Sequence, residues 1–263
     1  MTRVGVVGAG GRMGLAACRA IAASDDLELV AAIGRSDAGR TLAETAGIDG
    51  PAGTLTVADD LDALFEADVE VAVELTGPAT VGTHLLRLLE HDVHAVVGAT
   101  GWSDDELERA RRLAAGGRAN ALLAPNFAIG AVLLMRFAAD AARHLPDVEI
   151  IELHHDGKLD APSGTALRTA ELIDDARPTT PDVVGGDERH PGARGVTHHG
   201  VPVHSVRLPG LVAHQEVVFG GQGQTLRIRH DSIDRSSFMP GILLACREVP
   251  DLDGLVIGLE HIL

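Results

Sequence analysis

Residues 152–166 read Glu152-Leu153-His154-His155-Asp156-Gly157-Lys158-Leu159-Asp160-Ala161-Pro162-Ser163-Gly164-Thr165-Ala166. Of the chain's 22 basic residues, Lys158 is the only lysine. Arginine cannot release a proton near neutral pH whereas lysine can, so a single Lys among so many Arg points to proton chemistry. A neutral histidine serves as acid or base in the same range, which makes His154 and Lys158 the candidate catalytic residues. Ser163, Gly164 and Thr165 follow a rigid Ala-Pro step and open a helix pattern, where N–H groups at the positive helix end suit a carboxylate. His154 and His155 alternate sides of an extended chain and cannot easily face one metal ion, so no zinc or other metal is expected. The pair His198-His199 reads as incidental in a chain with 13 histidines.

A second chemistry-bearing segment, Gly8-Ala9-Gly10-Gly11-Arg12-Met13-Gly14, lies between an apolar run and a helix pattern. Glycines there permit a tight turn and a close backbone approach to a pyrophosphate at the helix N-terminus. The spacing is Gly8-x-x-Gly11-x-x-Gly14, so the strand-turn-helix context carries the dinucleotide reading more than the glycines alone. At the end of the second apolar run, Ile33-Gly34-Arg35-Ser36-Asp37 puts Gly34 where an NAD site usually holds a carboxylate. Arg35 follows and suits a 2′-phosphate, so NADPH is favoured over NADH. The alternative is that Arg35 faces solvent and Asp37 takes the ribose.

These segments need a scaffold, and the apolar pattern supplies one. Residues 4–7, 27–33, 69–75, 93–97 and 119–123 read as buried strands separated by helix patterns, two of them opening at Asp59-Asp60 and at the capping box Ser103 to Glu106. That rhythm implies an α/β fold with a doubly wound parallel sheet. Beyond residue 125 the rhythm changes. A helix over 129–144, a strand over 148–155 and a helix over 166–175 are followed by a Pro- and Gly-rich stretch, 178–200, expected to be a mobile loop. Residues 201–208, 211–220 and 225–230 read as consecutive antiparallel strands, and 235–248 as a helix. The expected organisation is a dinucleotide-binding domain of residues 1–125 joined by 235–263, and a mixed-sheet α+β domain of residues 126–234.

Composition limits the partners. The chain has 263 residues, 45% of them hydrophobic, and a formal charge of -16. Such a charge repels phosphate backbones and anionic membranes, which argues against nucleic-acid and membrane-surface roles. No apolar run approaches 18 residues and 4–7 is too short for a signal-peptide core, so a soluble cytoplasmic protein is expected. Cys18 and Cys246 are far apart within helix patterns and read as packing residues. An acidic, Arg-rich surface fits salt adaptation, with genomic composition as the other explanation for the arginines.

Taken together, Gly8–Gly14, Val97-Gly98-Ala99-Thr100-Gly101, Ala124-Pro125-Asn126-Phe127 and the His154 to Ala166 string resemble the 4-hydroxy-tetrahydrodipicolinate reductase family. His204-Ser205-Val206-Arg207, His214, His230 through Arg235, Phe238 and Gly241 match its later segments, so the likeness spans the chain. The resemblance implies a Rossmann-type domain joined to a mixed-sheet domain that carries substrate contacts and builds a homotetramer, and NAD(P)H-dependent reduction of a small cyclic dicarboxylate with loss of water, in the diaminopimelate route to lysine. It implies that His154 is a proton donor and acceptor and Lys158 a second proton donor. His155, Ser163, Gly164 and Thr165 would bind substrate. Gly8, Ala9, Gly10, Gly11, Arg12 and Met13, with Gly98, Ala99, Thr100, Ala124, Pro125, Asn126 and Phe127, would line the dinucleotide. Glu74-Leu75-Thr76-Gly77-Pro78 departs from that family's more usual Asp-Phe-Thr-x-Pro. The rival readings are another two-domain amino-acid or semialdehyde dehydrogenase and a non-catalytic NAD(P)-sensing module. A semialdehyde enzyme needs a loop thiolate, which neither cysteine offers. A sensor has no use for His154 and Lys158.

Overall fold

The computed structural model describes residues 1–181 and 188–263. Along the chain the elements are β1 (Thr2–Val7), α1 (Arg12–Ala22), β2 (Leu27–Ile33), α2 (Leu42–Ala46), α3 (Gly50–Gly53), α4 (Asp62–Glu66), β3 (Val71–Glu74), α5 (Val81–Glu90), β4 (His94–Val97), α6 (Asp104–Gly116) and β5 (Ala121–Leu123). They continue as α7 (Ile129–Ala142), β6 (Asp147–His154), α8 (Gly164–Ala176), β7 (Val196–His198), β8 (Val201–Arg207), β9 (Ala213–Gly221), β10 (Gln224–Ser232), α9 (Met239–Glu248) and β11 (Leu255–Ile257). Chain contacts divide these into two compact units, Met1–Phe127 with Phe238–Leu263, and Ala128–Ser237.

The first unit holds a six-stranded sheet in the order β11-β5-β4-β3-β1-β2, every pairing parallel. Its strands carry Val, Ala and Leu without polar alternation because helices cover both faces; all four residues of β3 are buried. The chain leaves β1 sideways to β2 and returns across it to β3, so the order reverses between β1 and β3. An open α/β sheet takes its ligand in the crevice at the carboxyl ends of such a pair. The capping box of Ser103 and Glu106 opens α6 as expected, and Asp60 accepts from the Asp62 N–H at 2.9 Å ahead of α4. Cys18 and Cys246 are fully buried in α1 and α9, and burial pushes both thiols up to about 12. Neither is a nucleophile.

The second unit holds a mixed sheet in the order β10-β9-β6-β8-β7, with α7 against β9 and β10 and α8 against β6 and β8. Only the β6–β8 pairing is parallel. Along β6 the buried positions alternate as Val148, Ile150 and Glu152, so a carboxylate ends the row of apolar side chains that the strand buries.

Two readings of this unit are corrected. The segments 201–208 and 211–220 run antiparallel as expected but do not pair with each other, because β6 lies between β8 and β9. Residues 208–212 instead cross the end of β6, tied by Leu208 N–H to His154 O at 3.0 Å and His155 N–H to Val212 O at 3.4 Å. Pro209-Gly210 marks a tight turn, and a turn signal does not distinguish a hairpin from a step over one strand. Residues 178–200 also contain a strand, β7, whose three residues are too few to show a period. Arg177 holds the stem of that segment through Asp174 Oδ1 at 2.8 Å and His199 O at 2.7 Å. Residues 182–187, including Gly185 and Gly186, lie outside the described residues.

Candidate active site

The glycine turn sits at the carboxyl end of β1. Gly8 has φ +87°, a region that favours glycine, and a side chain on Gly14 would run into the Gly8 carbonyl. Gly8 and Ala9 both donate to Ile33 O, at 2.9 and 2.8 Å, and Gly11 donates to Gly8 O at 3.0 Å. Those N–H groups are therefore spent inside the protein. Arg12 and Met13 open α1 ahead of its first full-turn bond, Leu15 N–H to Gly11 O at 2.9 Å, so they carry the anion-binding end of the helix. The turn fits a pyrophosphate on this geometry.

Beside it is a pocket lined by Gly8, Gly34, Arg35, Thr76, His84 and Arg87, among others. Arg35 is exposed at its edge and makes no ion pair among the described residues. Asp37, by contrast, is paired with Arg40 at 3.1 Å, while its other oxygen borders Gly10. Glu74 is fully buried behind this pocket and meets His84 Nδ1 at 3.0 Å and the Thr76 hydroxyl. The longer side chain at this departure from the family pattern thus has partners of its own.

Gly98, Ala99 and Thr100 follow β4, and Ala124, Pro125, Asn126 and Phe127 follow β5. Their backbones meet through Ala124 N–H to Val97 O at 2.9 Å. Gly98 lies under the Phe127 ring and Leu75, where any side chain would collide. The structure therefore brings all three proposed dinucleotide segments to the carboxyl edge of one sheet.

The second unit carries the titratable cluster. Glu152 and His154 are two apart on β6 and share a face; His154 Nδ1 lies 2.5 Å from Glu152 Oε2. Arg207 grips the same carboxylate with two guanidinium nitrogens at 2.9 Å each. Burial alone would raise the Glu152 pKa, but hydrogen bonds from His154, Arg207 and Ser205 outweigh it and hold the carboxyl at about 2. Lys158 lies in the turn after β6, its ammonium 2.8 Å from both oxygens of Asp160, whose carboxyl it holds below the usual range. His155 is exposed, its ring edge beside Gly157. Among the described residues, the one group with metal-ligand proximity is Glu171, His198 and His199, on α8 and the end of β7.

The head of α8 needs one correction. Ser163 does not offer a free N–H, because it donates to Glu152 Oε1 at 3.2 Å while its hydroxyl caps the Ala166 N–H at 3.2 Å. Gly164, the first residue of α8, is exposed, and Thr165 follows it. The sequence reading assigned no role to Glu152 or Arg207. Period-2 spacing from His154 marks Glu152, whereas Arg207 reaches it only because β8 runs parallel beside β6 with His154 opposite Arg207.

A parallel sheet with a glycine turn at its switch point, joined in one chain to a His, Lys and helix-terminus cluster, defines a two-unit NAD(P)-dependent oxidoreductase. Residues 2–127 match the family described as dihydrodipicolinate reductase, N-terminus, and residues 130–263 match its C-terminus counterpart. The chain belongs to the dihydrodipicolinate reductase family. Curated relatives named 4-hydroxy-tetrahydrodipicolinate reductase include those of Streptomyces coelicolor, 50% identical over 99% of this chain and 97% of the relative, and Nocardia farcinica, 52% identical over 99% and 98%. A solved dipicolinate-bound dihydrodipicolinate reductase from Paenisporosarcina sp. TG-14 aligns over 100% of both chains with a TM-score of 0.88 and 43% identity. An amine dehydrogenase from Mycobacterium smegmatis shares the fold, at 16% identity and a TM-score of 0.66.

Proposed function

We propose that the chain reduces (2S,4S)-4-hydroxy-2,3,4,5-tetrahydrodipicolinate to tetrahydrodipicolinate with loss of water, in lysine synthesis by the diaminopimelate route. The observation that carries this reading is His154 at the end of β6, backed by a buried carboxylate, directly ahead of the turn that carries the chain's only lysine and leads to the head of α8. A dinucleotide held with its pyrophosphate at the glycine turn, and lined by Gly98 to Thr100 and Ala124 to Phe127, would supply the hydride from its nicotinamide. His154 takes a proton from the substrate and returns it, and Lys158 donates the one net proton, which leaves with the hydroxyl as water. His155 and the Gly164 and Thr165 N–H groups bind the substrate carboxylates, with Ser163 holding the helix head. Both dinucleotides serve, NADPH in preference, because Arg35 awaits a 2′-phosphate. The same reading makes the enzyme a cytoplasmic homotetramer whose second unit carries the substrate contacts and the subunit interfaces.

Steady-state kinetics of the purified protein with freshly generated substrate test the proposal. Substrate-dependent oxidation of NADPH, and more weakly of NADH, is expected. Tight NADPH binding without substrate-dependent oxidation would leave only a dinucleotide-binding protein.

A further inference from the structure

We propose that Glu152 is the positioning residue of the proton-transfer site, fixing which ring nitrogen of His154 carries the exchangeable proton and fastening the substrate-binding turn to the same point. The catalytic half of this inference rests on the reductase reading above; the structural half does not.

The carboxylate is fully buried, and its oxygens accept from His154, Arg207, the Ser163 N–H and the Ser205 hydroxyl. Oε1 accepts from Arg207 Nη2 at 2.9 Å and Ser163 N–H at 3.2 Å; Oε2 faces Arg207 Nη1 at 2.9 Å and His154 Nδ1 at 2.5 Å. An ionised carboxylate only accepts, so His154 Nδ1 must carry a hydrogen whether the ring is neutral or charged. Nε2 is then the one nitrogen that gains or loses a proton. A free imidazole divides its neutral form between two tautomers, and only one of them presents a lone pair at Nε2. Glu152 removes the other.

The remaining bonds tie this choice to the substrate site. Ser163 is the N-cap of α8, so a bond from its N–H to Glu152 sets where Gly164 and Thr165 stand relative to His154. Arg207 extends the tie to the turn carrying Lys158, donating to Asp160 O at 2.6 Å. Three sequence-distant segments, the end of β6, the head of α8 and the end of β8, are therefore registered on one carboxylate. Replacement by glutamine cannot preserve this pattern. Arg207, His154 and the Ser163 N–H supply four donors beside the Ser205 hydroxyl, whereas an amide offers one accepting oxygen and two N–H groups, so a donor on Arg207 or His154 would face another donor. The least disruptive escape is for His154 to accept at Nδ1, which moves its hydrogen to Nε2.

The experiment is nitrogen NMR of ring-labelled His154 in the full-length protein, together with kinetics of Glu152→Gln and Glu152→Asp. In the wild type the neutral ring is expected as the Nδ1–H tautomer; an Nε2–H tautomer overturns the proposal without reference to any variant. In Glu152→Gln the Nε2–H form should appear and kcat should fall by roughly a hundredfold, within the range general acid–base catalysis contributes, while NADPH affinity stays unchanged. Glu152→Asp retains an acceptor and should keep the Nδ1–H tautomer with an intermediate kcat. Wild-type kcat in Glu152→Gln, or lost kcat with the wild-type tautomer retained, also overturns it. A wild type with the Nδ1–H tautomer but no reductase activity would leave Glu152's hold on His154 standing and defeat the functional reading instead.

Discussion

The low pKa of Glu152 makes its pairing a measurable part of stability in acid. The carboxyl sits at about 2 in the folded chain against an ordinary 4.5, despite burial that opposes ionisation. A group with a depressed folded pKa binds fewer protons folded than unfolded, so its contribution is fully present above the unfolded value and disappears as pH falls through the folded one. At about 1.36 kcal/mol per unit, a displacement of roughly 2.5 units is worth about 3 kcal/mol at pH 7. At pH 3 only about 1 kcal/mol should remain, because the unfolded carboxyl is then almost wholly protonated while the folded one is not. Other carboxylates held low, Asp160 and Asp231 among them, titrate in the same direction. The difference between wild type and Glu152→Gln isolates the one group, since an amide does not titrate. Urea unfolding of both proteins at pH 7, 5 and 3, followed by circular dichroism, is the assay. The stability gap should hold between pH 7 and 5 and shrink by about 2 kcal/mol at pH 3. A gap that does not change down to pH 3 would refute the reasoning.

Lys158→Met and His154→Gln should each lower kcat by about 10²–10⁴ while leaving NADPH binding nearly unchanged, since neither lies in a dinucleotide segment. Lys158→Arg should fail as well, because it keeps the charge but not a transferable proton; loss of cofactor affinity with intact turnover would contradict both. Arg35→Ala should weaken NADPH by roughly ten- to a hundredfold and hardly touch NADH, as read by fluorescence titration. Equal loss of both would place Arg35 on a part the dinucleotides share. The charge of -16 repels across a Debye length of about 30 Å at 0.01 M salt, so 2 M KCl should raise the melting temperature. Equal melting temperatures in 0.01 M and 2 M KCl would leave genomic composition as the explanation for the arginines.

The parallel sheet was legible because buried parallel strands leave uninterrupted apolar runs, and residues 27–33 coincide with β2 from end to end. The glycine turn was legible because its function demands small residues at fixed positions. What sequence could not supply was pairing between distant strands. Three-residue strands such as β7 and β11 are too short to show a period. The insertion of β6 between β8 and β9 leaves no local mark, yet it alone brings Arg207 to Glu152. Helix heads were only half legible: Ser163 was marked as a helix start, while the spending of its N–H on a residue 11 positions earlier depends on the tertiary fold.

The central claim is that one hydride from the nicotinamide enters the substrate as one hydroxyl leaves as water. Turnover with NADPH dideuterated at C4, followed by mass spectrometry of the cyclic product and quantification of NADP+, measures this directly. The account requires one deuterium per product molecule, one NADP+ formed for each, and a product lacking the substrate's hydroxyl oxygen. An unlabelled product, or a labelled product that retains that oxygen, would contradict it.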